Sequence, residues 1–231
     1  MMKYSSNPLE IETGASPKCT VIFVHGLGST AKKTSDLIID TNTNTDTPLR
    51  YIFPNAPQRQ ITIFGGRTTS AWYDLLSGDF LPNEDEEGMR QTKDYLHSLL
   101  RREIERNIMP SKIFLAGFSQ GGAMALMAGL RFDKPIGGII ALSAYLPLRA
   151  KTYNETHVAN RNMPILLTHG TRDSIIPIKI AEKARETLVS WGHPVTWHSS
   201  QIDHSLRRNE TGYMHTWINR CLKNNTNPDH A

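Results

Sequence analysis

The chain has 231 residues, 39% of them hydrophobic, enough to bury about 70–75% of its unfolded surface in one core. Whole-chain disorder is excluded and one globular domain is expected. Lys and Arg number 26 against 22 Asp and Glu, a formal charge of +4, and the basic residues are scattered apart from pairs such as Arg101-Arg102 and Arg207-Arg208. That is not the footprint of a nucleic-acid binder.

The first fourteen residues carry one lysine and no apolar run, so a secretory signal is not expected and a cytoplasmic protein is. No stretch approaches the roughly 18 uninterrupted apolar residues of a spanning helix, which argues against integral membrane association. The richest stretch, residues 137–148, is broken by Ser143 and Pro147. Cys19 and Cys221 lie in an apolar strand pattern and a terminal helix pattern, and read as buried thiols rather than a disulfide framework. The N-x-T triplets at Asn154, Asn209 and Asn224 would matter only in a secreted protein.

Short β-branched or aromatic runs alternate with longer helical patterns along the chain, the signature of βαβ units and a mainly parallel sheet with helices on both faces. Strands are predicted at 19–24, 51–54, 112–117, 138–142, 164–169 and 195–198, the third and fifth as continuous apolar runs suited to central positions. Residues 1–17 read as an N-terminal extension, 18–223 as the domain and 224–231 as a disordered tail. The Thr/Asn-rich run 40–48 reads as a surface loop.

Met89, Leu96, Leu99, Leu100 and Ile104 recur at helical spacing within 84–107, predicting a long amphipathic helix. Its opening Glu84-Asp85-Glu86-Glu87 fits a first helical turn complementing the macrodipole better than a metal site. Further helical stripes run through Ile180, Ala181, Ala184, Leu188 and Trp191, and over 206–222.

The strongest chemical signal is Gly117-Phe118-Ser119-Gln120-Gly121-Gly122, between an apolar strand and a helix-forming run. A serine on so sharp a turn takes a strained backbone conformation, and the flanking glycines remove the side chains that would clash there. Its hydroxyl then stands clear of the sheet, and the following helix aims its first amides, that of Gln120 included, at the same spot. A serine nucleophile needs a base and a group to orient it, in the chain order Ser, acid, His for this topology. Asp173 follows the strand 164–169 on the face where Ser119 sits, and His204 lies on a loop before the last helix. Asp203 is a weaker candidate acid, because neighbouring side chains on an extended chain point apart. His169, His193 and His198 read as structural, without metal-ligand spacing.

After the first strand comes His25-Gly26-Leu27-Gly28. As Gly26-x-Gly28-x-x-Ala31 it fits a dinucleotide fingerprint, but residues 51–55 supply no acid for a ribose. As an oxyanion loop it would set the Leu27 amide opposite that of Gln120 and so account for Ser119 as well. His25 is then expected to hold the loop shape.

Together with Phe53-Pro54-Asn55-Ala56-Pro57, Ala71-Trp72-Tyr73-Asp74, His169-Gly170-Thr171-Arg172-Asp173 and His204-Ser205, these motifs resemble the phospholipase/carboxylesterase family, which includes the acyl-protein thioesterases. The resemblance covers about Lys18 to Leu222. It implies an α/β-hydrolase fold without a large cap domain, no cofactor and no metal, and hydrolysis of carboxylic esters or thioesters. The expected substrates are small acyl esters, lysophospholipids or S-acylated proteins. By motif position Ser119 is the nucleophile, Asp173 the acid, His204 the base, and Leu27 and Gln120 the oxyanion donors. Trp72, Leu75, Leu76 and Phe80 are candidate substrate-binding residues; the apolar stretch 75–81 would meet acyl chains, a membrane surface or a second subunit. One departure is Asp203, where the family usually has glycine before the histidine. A silent binding protein and a serine peptidase on the same scaffold are the alternatives.

Overall fold

The third predicted strand, 112–117, is observed at Ile113–Phe118 and is buried along all but its last residue, as a strand covered on both faces must be. The structure, a computed structural model, describes residues 4, 7–39, 47–78 and 83–224. In chain order the elements are β1 (Leu9–Glu12), β2 (Cys19–Val24), α1 (Ala31–Ile38), β3 (Leu49–Phe53), β4 (Gln58–Ile61), β5 (Arg67–Ser70), α2 (Glu86–Glu105), β6 (Ile113–Phe118), α3 (Gln120–Arg131), β7 (Gly138–Leu142), α4 (Arg149–Glu155), β8 (Ile165–Gly170), α5 (Ile178–Ser190), β9 (Val195–Ser200) and α6 (Arg208–Asn224).

Seven strands form one sheet in the order β1-β3-β2-β6-β7-β8-β9, parallel throughout except where β1 pairs antiparallel with β3. The strict alternation of strand side chains divides the core in two. Ile22, Leu115, Ile139 and Ile165 face one layer with residues of α2, α3 and α5, while Val21, Phe114, Ile140 and Leu166 face the other with residues of α1 and α6. Each such fully buried aliphatic or aromatic side chain contributes roughly 1.5–3 kcal/mol.

The structure corrects the expected boundary at residue 18. Leu9–Glu12 is an edge strand of the sheet, registered Leu9 to Phe53 and Glu12 to Arg50, so this segment before residue 18 is part of the domain's sheet. It is stapled to α2 by Glu10, which pairs with Arg102 and Arg106, each at 2.8 Å. The fully buried Glu103 carboxylate accepts from Arg50, Arg106 and Thr20, each at 2.9 Å. Of the tail expected over 224–231, residues 225–231 lie outside the described residues, as do 40–46 of the predicted loop; Asn224 ends α6.

A hairpin absent from the predicted elements, β4–β5, joins through a short 3-10 turn at Thr62–Phe64 and two glycines, Gly65 and Gly66, both with positive φ. Asp85 caps α2 by accepting from Gly88 N–H at 2.9 Å, and Glu86 and Glu87 occupy the first turn as expected. Each acid of the cluster has a protein partner: Glu84 takes the Leu148 amide, Glu86 takes Arg90 and Lys151, and Glu87 takes Gln91. Among the described residues no helix is long and apolar enough to cross a membrane.

Candidate active site

Ser119 sits between β6 and α3 at φ 55°, ψ −121°, a conformation that side chains rarely adopt. It is held there by its own N–H, which donates to Leu142 O at 2.8 Å, and by its carbonyl, which accepts from Ala123 N–H at 3.0 Å. The turn closes so tightly that a Cβ on Gly117 would lie 2.3 Å from the Gly121 backbone, and one on Gly121 would lie 2.0 Å from Val24 O. Glycine at both positions is therefore a steric requirement of the elbow.

The loop after β9 brings His204 to the serine, its Nε2 2.8 Å from Ser119 Oγ. Its Nδ1 is 2.6 Å from Oδ2 of Asp173, on the loop after β8. A carboxylate oxygen accepts this bond, so Nδ1 carries the ring proton and Nε2 accepts from the serine hydroxyl. The Asp173 side chain is wholly buried, with Oδ1 accepting from the amides of Ile175 at 2.9 Å and Ile176 at 2.8 Å. Three loops at the carboxyl ends of parallel strands thus assemble residues separated by 85 and 31 positions.

The loop Gly26–Gly28 lies against this turn: a Cβ on Gly26 would come within 3.1 Å of the Phe118 ring and 3.5 Å of Ser119 Cβ. Gly28, at φ 72°, donates to Ser70 O at 2.8 Å and ties the loop to the hairpin. His25 is buried, its Nε2 accepting from Ala56 N–H at 3.1 Å and its Nδ1–H donating to Gly26 O at 2.8 Å. Burial pushes its pKa down to about 4, so the ring is neutral. His25 thus shapes the loop, as expected.

Leu27, Ser119, Gln120, His204 and Leu75 line one cavity of about 450 Å³. The remaining expectations fare differently. Trp72 is corrected: it is fully buried and does not line the cavity, donating its Nε1–H to His25 O at 2.8 Å and stacking on Tyr95. Leu76 is also corrected, because it lines a separate polar groove with Arg59, Asp74 and Asp85. Phe80 lies outside the described residues. Sequence reasoning missed Ile63 and Phe64 on the hairpin, Tyr73 and Tyr145 on the inner wall, and Ile175 and Ile176 beside the acid. The Tyr73 and Tyr145 hydroxyls bond to each other at 2.9 Å, so these rings enter an apolar cavity with their polar ends paired. An apolar pair before Gly65-Gly66 was the available signal for the hairpin tip. Burial raises the thiols of Cys19 to about 12 and Cys221 to about 11, leaving both poor nucleophiles.

Residues 7–222 match the family described as Phospholipase/Carboxylesterase. The chain belongs to this family. It is 37% identical over 225 residues to acyl-protein thioesterase 1 of Gibberella zeae, covering 93% of this chain and 95% of that one. To acyl-protein thioesterase 1 of Schizosaccharomyces pombe it is 34% identical over 184 residues, covering 80% and 81%. The crystal structure of Arabidopsis thaliana SOBER1 superposes with a TM-score of 0.84 at 25% identity, over 88% of this chain and 99% of that one. That of Zea mays acyl-protein thioesterase 2 gives 0.76 at 23% identity, over 94% and 100%, a likeness of fold. The fold is that of the α/β-hydrolases, and the protein is a serine hydrolase acting on ester bonds.

Proposed function

We propose that the chain is a cytoplasmic acyl thioesterase and esterase that works through an acyl-enzyme on Ser119, with S-acylated proteins as its principal substrates. The observation that carries this is the continuous hydrogen-bond chain from Ser119 through His204 to Asp173, opening on an apolar cavity beside Leu75 and Phe118. The substrate class is supported by the curated thioesterases to which the chain is similar. Two buried free thiols fit a reducing compartment.

His204 Nε2 takes the hydroxyl proton as Ser119 Oγ attacks the acyl carbonyl, and Asp173 stabilises the imidazolium and keeps Nδ1 protonated. The developing oxyanion is met by the backbone amides of Leu27 and Gln120, each worth roughly 10²–10³ in rate. His204 then returns its proton to the leaving thiolate or alkoxide. Water, deprotonated by the same nitrogen, releases the acid and regenerates Ser119. The acyl chain lies against Leu75, Tyr73 and Tyr145, while the exposed Ile63, Phe64 and Ile175 form the rim that meets the rest of the substrate. Lysophospholipids and small esters present the same carbonyl and are expected as secondary substrates.

The test is hydrolysis of nitrophenyl acyl esters and matching thioesters from two to sixteen carbons by the wild type and Ser119→Ala. Turnover is expected to fall roughly 10⁴–10⁶-fold in the variant. A folded variant with substantial residual activity would remove Ser119 from the mechanism; wild type inactive at every length, and unlabelled by a fluorophosphonate, would leave a binding scaffold.

A further inference from the structure

The acyl-transfer steps leave His169 without a task, yet its imidazole is built into the surroundings of the acid. It lies at the end of β8, four residues before Asp173, and is 1% exposed. Its Nε2 is 2.8 Å from the carbonyl oxygen of Ile176 and 3.3 Å from Oδ2 of Asp173, the oxygen that also receives His204. A carbonyl only accepts, so Nε2 carries the proton. Burial lowers the pKa of the ring, against Asp173 and Glu182, which would raise it, and beside His204, which lowers it further. Burial thus favours the neutral ring.

The other nitrogen, Nδ1, is then an acceptor, and it is buried with no hydrogen-bond partner among the described residues. Leaving such an acceptor unsatisfied is costly, a cost that an apolar side chain of similar size would avoid. A residue that breaks this rule beside a reacting group points to a role for its other end.

We propose that His169 is the positioning residue for the acid, clamping the 173–176 turn to the central sheet and setting one wall of the acyl cavity with the same bond. Its Nε2–H holds the Ile176 carbonyl; the Ile176 amide, with that of Ile175, holds Oδ1 of Asp173; and Oδ2 is thereby aimed at His204. Ile175 and Ile176 also line the cavity, so the clamp joins the register of the acid to the shape of the acyl site. A neutral ring suits this position. It brings the positive edge of an N–H near Oδ2, whereas a full cation there would repel the imidazolium that forms on His204.

The proposal rests on Ser119, His204 and Asp173 acting as a triad, and two measurements separate its failure from the failure of that reading. Long-range ¹H–¹⁵N correlation spectra of the wild type need no turnover. At pH 8, well above the ordinary histidine pKa of about 6.5, His169 is expected as the neutral Nε2–H tautomer. An Nδ1–H tautomer would overturn the clamp, because Nε2 could then not donate to the Ile176 carbonyl. Kinetics then compare His169→Leu, which removes the donor, with His169→Gln, whose amide reaches the Nε2 position. His169→Leu should lower kcat about tenfold or more with KM changed less than about threefold, because the acid is displaced while the acyl site persists. His169→Gln should recover kcat to within about threefold of wild type. Equal losses in both variants, or a His169→Leu kcat within about twofold of wild type, would refute the role. Should His169→Leu fail to fold, His169→Gln and the wild-type tautomer decide. Absence of fluorophosphonate labelling at Ser119 would strike the triad alone.

Discussion

Gln120 accepts the backbone N–H of Trp72 on its side-chain oxygen at 2.8 Å. Its side-chain nitrogen donates to the next carbonyl, Tyr73 O, also at 2.8 Å. The residue after Ser119 is therefore locked at both ends to a buried segment of main chain, and Trp72 in turn holds the carbonyl of His25. The two proposed oxyanion donors, Leu27 and Gln120, are coupled through this one tryptophan.

Gln120→Ala would leave the Trp72 amide and the Tyr73 carbonyl buried without these partners. Each orphaned group costs roughly 1–3 kcal/mol, so a loss of about 2–5 kcal/mol is expected in urea denaturation. Turnover should fall together with stability, since the same bonds fix the backbone that carries the Gln120 amide. A variant as stable as wild type would show that the side chain does not brace the turn.

The buried neutral His25 makes stability depend on pH. Its folded pKa of about 4 lies below the ordinary 6.5, so between these values the unfolded chain binds more protons than the folded one. Stability therefore rises with pH across that window and gains nothing more above it, a contribution of about 3 kcal/mol. Glu84, raised to about 7 by burial, acts with the opposite sign between 4.5 and 7, so the raw profile mixes the two. The clean measurement is the difference between wild type and His25→Asn from pH 4 to 6.5 by chemical denaturation. The wild-type curve should climb more steeply; parallel curves would mean that His25 titrates normally in the folded protein.

Two glycines should respond to alanine in opposite directions. Gly121 meets backbone on its only free side, 2.0 Å from Val24 O, and neither chain can yield without opening the elbow. Gly121→Ala is expected to cost more than about 3 kcal/mol and to abolish activity. Gly212, within α6, has nothing within 4 Å of its absent Cβ, so Gly212→Ala should add about 0.5–1 kcal/mol through helix propensity. Thermal melts of the pair read both signs.

What could be read in advance follows from how local each signal is. The strand Gly138–Leu142 was legible to the residue, because five apolar residues buried on both faces leave no other arrangement. The elbow was legible because its glycines are demanded within a few residues of Ser119. Leu9-Glu10-Ile11-Glu12 alternates over too few residues to stand out as a strand, and it becomes one only because β3 offers an edge. The polar strands Gln58–Ile61 and Arg67–Ser70 carry almost no apolar pattern. The cavity wall was least legible of all. Ile63, Leu75, Tyr145 and Ile176 meet only through the fold, and Trp72 and Leu76 bracket the lining residues Tyr73 and Leu75 while facing elsewhere.

Asp203 stands where the family usually has glycine, and its surroundings make the substitution benign. The residue is not among those with positive φ, so its backbone makes no demand for glycine. The loop is held by main-chain bonds from Arg172 N–H to Ile202 O at 3.0 Å and from Ser205 N–H to Asp203 O at 2.9 Å. Its carboxylate turns away from the neighbouring imidazole, accepting from Ser205 Oγ at 2.5 Å and from Arg207 at 3.2 Å, and these partners hold its pKa below the usual carboxylate range. Asp203→Gly and Asp203→Asn should each change kcat/KM by less than about threefold, because an exposed, paired charge acts weakly on its neighbours. What difference there is should shrink as salt rises toward 1 M, where the screening length falls to about 3 Å. A tenfold or greater change that survives high salt would instead assign Asp203 a part in orienting His204.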